Sequence, residues 1–213
     1  MARFRYRAED GAAPESPEAL FRDLRPADRQ VRDLYLRQGD VLRAYHEQQP
    51  SPADVALELP TGAGKTLVGL LIAEWRRRAL GQRVAYLCPT VQLARQAAQK
   101  AQGYGLDVVT LVRRQSEWSQ SDWSRFLRGR AVAVSTYHAV FNSNPRLDSA
   151  QTLVLDDAHA GEEPVANLWS IRASRDSDLY NAVLAVVAGS LPSPVAERLE
   201  TTNSKVHGVG LST

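Results

Sequence analysis

A glycine-rich segment, Pro60–Thr66 (PTGAGKT), carries the residue types and spacing best suited to chemistry in this chain of 213 residues. Glycines let a backbone turn so that its N–H groups face an anion, and a helix that starts there adds a favourable dipole. Lys65 can reach the β- and γ-phosphates of a nucleotide, and the Thr66 hydroxyl can ligate Mg²⁺. The complete pattern has glycine where Leu59 stands. The segment therefore predicts a phosphate-binding loop with one departure, and a glycine-rich turn without a ligand is the alternative.

A second candidate lies at the end of the apolar run Leu153–Leu155, where Asp156 and Asp157 follow directly. In P-loop NTPases, a carboxylate at the end of such a strand supplies the second protein contact with Mg²⁺. Asp156 is the predicted metal ligand, and Asp157 could polarise an attacking water. Taken alone, the pair could also be a strand-to-turn junction that favours aspartate.

Short apolar runs alternate with helical patterns from residue 53 onward. The predicted strands are Val55–Leu59, Val84–Cys88, Val108–Val112, Ala131–Val134 and Leu153–Leu155, and the predicted helices cover 65–80, 90–102, 121–128 and 177–200. Runs of consecutive apolar residues separated by helices indicate a parallel sheet that is buried on both faces. The predicted fold class is therefore α/β, with a parallel sheet sandwiched by helices.

The N-terminal quarter of the chain has a different pattern. We predict a flexible arm over residues 1–17, a helical segment over 18–50 and the α/β domain over 51–213. Apolar residues recur at helical spacing within the second range. Gly39 and Asp40 could divide this pattern into two helices, with Asp40 as the cap of the second.

The composition excludes several classes of protein. The formal net charge is only +2, so bulk charge does not indicate a nucleic-acid binder. The single cysteine, Cys88, rules out an intrachain disulfide, and its apolar neighbours predict a buried, inert thiol. No apolar stretch reaches the roughly 18–20 residues that span a bilayer. The basic N-terminus does not lead into an apolar segment, so it is not a secretory signal. We expect a cytoplasmic protein without a membrane partner.

Five segments, in their order along the chain, resemble motifs of superfamily 2 helicases of the DEAD/DEAH-box group. Pro60–Thr66 and Asp156–His159 are similar to motifs I and II, and Pro89–Gln96 is similar to motif Ia. Leu36–Leu42 looks like the glutamine motif that reads adenine, and Ser135–His138 is similar to motif Ib or Ic. The resemblance implies the first, N-terminal RecA-like domain of a helicase, with ATP and Mg²⁺ as cofactors.

The resemblance also implies a role for each matching residue. Gln38 would hydrogen-bond the adenine edge through its amide. Lys65 and Thr66 would hold phosphate and metal, Asp156 would bind Mg²⁺, and His159 would couple the nucleotide site to the nucleic-acid cleft. The nucleotide contacts implied in the loop are Thr61, Gly62, Ala63, Gly64, Lys65 and Thr66. The residues implied to touch the phosphate backbone of one strand are Pro89, Thr90 and Thr136.

Simpler structural roles stay open for several of these positions. Gln38 could be a solvated surface glutamine, Thr90 a helix cap, and His159 a cap or a packed histidine. Two further clusters have both a functional and a structural interpretation. The aromatic residues Trp118, Trp123 and Phe126 could stack bases or pack a helix on the sheet, and Arg76–Arg78 could contact nucleic acid or lie at a solvated helix end.

Two departures from the family pattern bear on activity. The second acid of motif II is Asp157 where the family has glutamate, and a change in reach of about 1 Å can cost about 10²-fold in rate. Only 54 residues follow His159 (213 − 159), too few for the second RecA-like domain that supplies an arginine to the γ-phosphate. We therefore expect that domain in a longer full-length protein.

The predicted function is that of an ATP-dependent nucleic-acid helicase, with Lys65, Asp156 and Asp157 as the catalytic residues and DNA favoured over RNA as the partner. Two alternatives remain at this stage. One is a duplex translocase in a restriction or defence complex, and the other is an ATP-binding switch with little turnover.

Overall fold

The structure is a computed structural model that describes residues 13–24, 33–48, 54–60, 62–168, 170 and 173–204. The chain divides into two compact units, Met1–Trp169 and Ser170–Thr213. Most of the predicted arm and the loop residue Thr61 lie outside the described residues. The proposed domain boundaries at residues 17 and 50 stay a prediction.

The larger unit alternates helices and strands from residue 65 onward. Its helices are α1 (Pro17–Asp23), α2 (Leu36–Glu47), α3 (Lys65–Leu80), α4 (Val91–Gly103), α5 (Gln120–Leu127) and α6 (Ala158–Leu168). Its strands are β1 (Val84–Cys88), β2 (Val108–Thr110), β3 (Val132–Thr136) and β4 (Thr152–Leu155). The smaller unit contains α7 (Asp178–Val187) and α8 (Ser193–Ser204).

The four strands form one parallel sheet in the order β2-β3-β1-β4. Strand β1 pairs with β3 on one side and with β4 on the other, with Tyr86 opposite Val134 and Val154 respectively. The predicted α/β fold with a parallel sheet between helices and an N-terminal helical segment is confirmed. The carboxyl end of β1 leads to Pro89–Gln96, and that of β4 leads to Asp156–His159. The two ends are neighbours in this strand order.

Strands β1 and β3 are buried on both faces because each of their residues is apolar or small, whereas Leu153 and Leu155 of the edge strand β4 are exposed. Tyr86 and Cys88 lie on the face that packs against α3 and α4, in a cluster that includes Leu70 and Ala94. Ala85 and Leu87 lie on the opposite face, in a cluster with Phe126 of α5 and Tyr137. The alternation of side chains along a strand thus directs Tyr86 and Cys88 toward the helix that follows the glycine-rich loop.

The predicted strand Val55–Leu59 is wrong. Residues 54–60 have no regular secondary structure. Leu59 is buried in a cluster with Leu67 and Leu71 of α3, and Leu57 is exposed. Within the run only Leu59 is buried and Val55 is half-buried, and side chains of the helices supply that burial, so the segment needs no strand partner.

Two predicted helix boundaries are also wrong. Helix α2 runs without a break through Gly39 and Asp40, and Asp40 pairs with Arg43 one turn later instead of capping a second helix. The pattern over 177–200 is divided into α7 and α8, because Pro192 lacks the N–H that a continuous helix requires.

The packing interpretation is confirmed for the aromatic cluster, whereas the solvated helix end expected for Arg76–Arg78 is wrong, because Arg77 is buried. The ring centroids of Trp118 and Trp123 lie 5.4 Å apart, and those of Trp123 and Phe126 lie 5.5 Å apart. Phe126 is fully buried, and the two tryptophans pack against the same side of the sheet. These rings therefore belong to the hydrophobic core and do not form a base-stacking surface.

The arginines at the end of α3 belong to a buried ion network. Glu74 is 0% exposed, and both of its carboxylate oxygens accept hydrogen bonds of 2.7 Å from Arg77. Arg78 donates to the same carboxylate at 2.7 Å, and Arg77 also donates to the carbonyl oxygen of Gly129 at 3.0 Å. The network holds the C-terminal half of α3 in place.

Within the part of the chain that the structure describes, no helix combines the length and apolarity of a membrane span.

Candidate nucleotide and metal site

The glycine-rich loop leads directly into α3. Gly62 and Gly64 have φ angles of 81° and 77°, in the left-handed region where glycine carries no steric penalty. Gly64 occupies the position before the first helical residue, Lys65. The free N–H groups of the first turn of α3 therefore face the loop, which is the geometry that binds phosphate. Lys65 is exposed at this helix start.

Gln38 of α2 connects the N-terminal helices to this loop. Its side chain is 3% exposed, and its Nε2 donates a hydrogen bond of 2.8 Å to the carbonyl oxygen of Ala63. Its Oε1 accepts a hydrogen bond of 3.1 Å from the backbone N–H of Tyr35. An alanine at position 64 would place its methyl group onto Nε2 of Gln38. Gln38 is therefore a buried contact of the loop and not a solvated surface glutamine, while its contact with adenine stays a prediction.

Asp156 lies at the carboxyl end of β4, beside the end of β1. Its backbone N–H donates to the carbonyl oxygen of Leu87 at 2.8 Å, which continues the strand pairing by one residue. The Sγ atom of Cys88 lies 3.8 Å from Oδ2 of Asp156. Tyr86 lies on the same face of β1 as Cys88, and α3 packs against this face. Because α3 leads into β1 and packs back against it, Thr66 at the start of α3 lies at the same carboxyl edge of the sheet as Asp156.

Burial dominates the protonation chemistry at this point of the sheet. It raises the pKa of Asp156, and the negative charge of Asp157 raises it further, whereas hydrogen bonds from Tyr86 and Cys88 act in the opposite direction. Burial, followed by the nearby charge of Asp156, also raises the pKa of Cys88 to about 12. A cation beside Asp156 would favour its charged form.

The oxygen atoms of Thr66 and Asp156 suit a magnesium ion. Mg²⁺ prefers hard oxygen ligands and is held through one or two carboxylates together with water and the phosphates of its nucleotide. A hydroxyl at the start of α3 and a half-buried carboxylate at the carboxyl end of β4 provide this donor set. The residues present therefore fit the metal that the loop implies.

Asp157 and His159 follow on the turn into α6. Asp157 has a left-handed backbone with φ of 54°, a conformation that aspartate tolerates better than longer side chains. Its side chain is exposed, and its carbonyl oxygen accepts a hydrogen bond of 2.9 Å from Ala160. His159 is exposed on the first turn of α6. Both side chains are accessible beside Asp156, as a water-activating acid and a coupling residue would need to be.

The three residues expected to touch a nucleic-acid backbone differ in exposure. Thr90 is exposed and caps α4, because its hydroxyl accepts a hydrogen bond of 3.2 Å from Leu93 N–H. Pro89 is half-buried at the end of β1, and Thr136 is 7% exposed at the end of β3. The strand order places these two ends side by side. The helix-cap interpretation of Thr90 is confirmed, and the contact of all three with nucleic acid stays a prediction.

Comparison with known proteins gives one match. The model of the protein family described as DEAD/DEAH box helicase matches residues 37–169, which is more than half of the chain. The chain belongs to the DEAD/DEAH box helicase family. No curated protein matches it at a significant level.

Membership of the DEAD/DEAH box helicase family supports a nucleic-acid-dependent ATPase motor in general, with a RecA-like fold. The matched range begins at Arg37 and ends at Trp169. It therefore contains Gln38, the glycine-rich loop and Asp156 within one family domain.

Sequence reasoning missed two tyrosines at the centre of this helicase domain. Tyr86 lies on the face of β1 that packs against α3, and the Tyr137 hydroxyl donates a hydrogen bond of 3.0 Å to the backbone oxygen of Asp156. Each ring lies against a glycine. An added methyl group would lie 3.0 Å from Tyr86 Cε2 at Gly69 and 2.6 Å from Tyr137 Cζ at Gly161. The sequence signal that could have pointed to Tyr86 was Gly69, a glycine inside the helix that follows the glycine-rich loop.

Proposed function

We propose that the chain is the first motor domain of a nucleic-acid helicase, which binds Mg-ATP and contacts one strand of nucleic acid. The observation that supports this proposal most strongly is the meeting of two distant motifs. Thr66 at the start of α3 and Asp156 at the end of β4 lie at the same edge of the sheet, because α3 packs back against β1 and β1 pairs with β4 in parallel. A triphosphate in the glycine-rich loop would therefore have its metal-binding carboxylate beside it.

Each residue of the site would act on a different part of the nucleotide. The N–H groups between Gly62 and Lys65 would hold the phosphates, and the Lys65 ammonium would offset the charge that grows on the β- and γ-phosphate oxygens. Thr66 and Asp156 would hold Mg²⁺, which when bound neutralises phosphate charge. Asp157 would orient the attacking water and accept its proton.

The nucleic-acid contacts in the proposal lie at the same edge of the sheet. Pro89, Thr90 and Thr136 follow β1 and β3, whose ends are adjacent. Backbone N–H groups and hydroxyls position a phosphate backbone without reading its sequence. We propose that His159 couples this surface to the nucleotide, and that the strand is DNA in preference to RNA. The proposal also includes a second RecA-like domain in the full-length protein and a cytoplasmic location.

The experiment that tests the proposal is phosphate release by the full-length protein, measured without nucleic acid and with single-stranded DNA, duplex DNA or RNA. We expect stimulation by nucleic acid, and a loss of at least about 10²-fold in Lys65→Ala, since the ammonium acts where charge develops. Arg128→Ala, which removes an exposed cation at the end of α5, is the matched control and should retain the stimulation. A Lys65→Ala variant with undiminished stimulated release would refute the proposal.

Strand displacement separates the helicase from the translocase. Release stimulated by duplex DNA without displacement of a labelled strand would support the duplex translocase. The ATP-binding switch is favoured by one observation, the short side chain of Asp157 on a left-handed backbone. Tight binding of Mg-ATP with no stimulated release in the full-length protein would support the switch over both motors.

A further inference from the structure

We propose that Tyr137 is a positioning residue for Asp157, because its buried hydroxyl holds the peptide group from which Asp157 extends. This inference rests on the proposed function, in which Asp157 orients the attacking water. Among the residues of the segment Ser135–His138, the family resemblance implies a role for Thr136 and none for Tyr137.

The strand order brings the side chain of Tyr137 to Asp156. Tyr137 follows β3 directly and begins a short 3-10 helix, Tyr137–Ala139. Strand β1 lies between β3 and β4, so the side chain crosses the end of β1 to reach the end of β4. Its ring is 1% exposed, in the cluster that contains Leu87 on the face of the sheet opposite α3. The buried ring therefore extends toward the turn that connects β4 with α6.

The hydroxyl of Tyr137 fixes the orientation of one peptide group. It donates a hydrogen bond of 3.0 Å to the carbonyl oxygen of Asp156, which belongs to the peptide between Asp156 and Asp157. The N–H of Asp156 donates to the carbonyl oxygen of Leu87 at 2.8 Å, so the backbone of Asp156 is held on both sides. Rotation about the N–Cα bond of Asp157 starts from the plane of the peptide that Tyr137 holds. The hydroxyl therefore helps to set the direction in which the Asp157 side chain leaves the turn.

Asp157 depends on its backbone for its orientation. Its φ of 54° lies in the left-handed region, where a residue other than glycine persists only when its surroundings hold it. Within the described part of the chain, no hydrogen bond fixes its exposed carboxylate. The direction of this carboxylate is therefore set by the peptide before Asp157 and by the helix after it.

Helix α6 receives the ring of Tyr137 at a glycine. Gly161 is buried, and an added methyl group would lie 2.6 Å from Cζ, 2.9 Å from Cε2 and 3.0 Å from the hydroxyl oxygen of Tyr137. Glycine inside a helix is unfavourable relative to alanine, so the close approach of the ring accounts for this residue. Gly161 follows Asp157 by four residues. Tyr137 thus contacts the chain on both sides of the acid, through its hydroxyl before Asp157 and through its ring after it.

Tyr137→Phe removes the hydroxyl and leaves a ring of the same shape. In the full-length protein, phosphate release stimulated by nucleic acid gives kcat and the KM for ATP. We expect kcat to fall about fivefold, the size of one net hydrogen bond, because Asp157 orients the attacking water less often. KM should stay within about twofold, because the glycine-rich loop is unchanged. Tyr104→Phe, at a half-buried tyrosine that follows α4, is the matched control and should change neither value.

A double-mutant cycle separates the positioning of Asp157 from a general structural role. Asp157→Asn keeps the shape of the side chain and removes the carboxylate that accepts the proton of the water. If Tyr137 acts through Asp157, Tyr137→Phe should lower kcat by less than about twofold in the Asp157→Asn background. A loss of about fivefold in both backgrounds would overturn the inference, because the hydroxyl would then act on another group. An unchanged kcat in Tyr137→Phe alone would also overturn it.

A second variant decides the matter if Tyr137→Phe does not fold, as judged by circular dichroism. Gly161→Ala keeps the hydroxyl but displaces the ring, and we expect kcat to fall about threefold, again only in the presence of Asp157. Gly103→Ala at the end of α4, where an added methyl group meets nothing within 4 Å, is its control. An unchanged kcat in folded Gly161→Ala would contradict the inference.

Failure of the proposed function is distinguishable from failure of this inference. An unmodified protein that releases no phosphate, or an Asp157→Asn variant with full kcat, would refute the role of Asp157 in the proposed function and this inference with it. A slow Asp157→Asn variant beside a Tyr137→Phe variant with full kcat would refute this inference alone.

Discussion

Replacing Gln38 by alanine tests how α2 supports the glycine-rich loop. The substitution removes the donor to the Ala63 carbonyl oxygen and the acceptor of the Tyr35 N–H. At about 1 kcal/mol for each net hydrogen bond, the free energy of unfolding should fall by about 2 kcal/mol. About half of this loss falls on the loop, so its binding-competent conformation becomes less populated. We therefore expect the dissociation constants of nucleotides to rise about fivefold.

The assay compares adenine with guanine nucleotides. If Gln38 acts through the loop, as its contacts indicate, the affinities for Mg-ADP and Mg-GDP should fall by the same factor. If it reads the adenine edge instead, Mg-ADP alone should bind more weakly. Urea unfolding followed by circular dichroism gives the stability change in the same samples. Gln48→Ala, at an exposed position just after α2, is the matched control and should change neither quantity.

A loss of affinity that is confined to adenine nucleotides would refute this reasoning. A Gln38→Ala variant that loses its preference for adenine, while its affinity for Mg-GDP and its stability stay unchanged, would show that the amide acts on the base. The contact with Ala63 would then be incidental. A variant with lower stability and unchanged affinity for both nucleotides would equally show that the loop does not depend on Gln38.

Two further predictions concern groups buried around α3. Glu74→Ala should lower the free energy of unfolding by about 3–5 kcal/mol, because it removes the buried carboxylate that accepts two hydrogen bonds from the Arg77 guanidinium and one from Arg78. Urea unfolding measures this, and Glu162→Ala on the exposed side of α6 should have no effect. Cys88 should resist iodoacetamide at pH 8 in the folded chain and react after unfolding in urea, because burial raises the pKa of its thiol to about 12. Mass spectrometry of the alkylated protein checks this, and rapid modification of the folded chain would contradict it.

The sequence was most informative where a local pattern determines the backbone. The glycines at 62 and 64 have the positive φ angles that a phosphate-binding turn requires, and α3 begins at Lys65 as predicted. Asp156 follows a strand as its apolar run indicated. These features depend on a few consecutive residues, so the pattern alone was sufficient.

The sequence was least informative where distant elements decide the outcome. Val55–Leu59 is as apolar as a strand, yet only Leu59 is buried, and helices bury it. The partner of Gln38 is Ala63 in another element, and the Tyr137 hydroxyl donates to the backbone oxygen of Asp156 after β4. Such contacts follow from strand order and register, which short motifs do not encode.

The buried pairing of Glu74 with Arg77 has a consequence for motion in the domain. Arg77 ties the rear half of α3 to the loops around Asp107 and Gly129. Glu74 and Arg77 lie on the same helix, so a shift of α3 would keep their pairing but break these contacts of the buried Arg77 guanidinium. Helix α3 therefore serves as a stationary reference when nucleotide enters or leaves. Displacement is then confined to the segment before Lys65 and to α2, which Gln38 joins to it. A fluorescent label near Tyr35 would report nucleotide exchange, whereas one at Leu80 would stay silent.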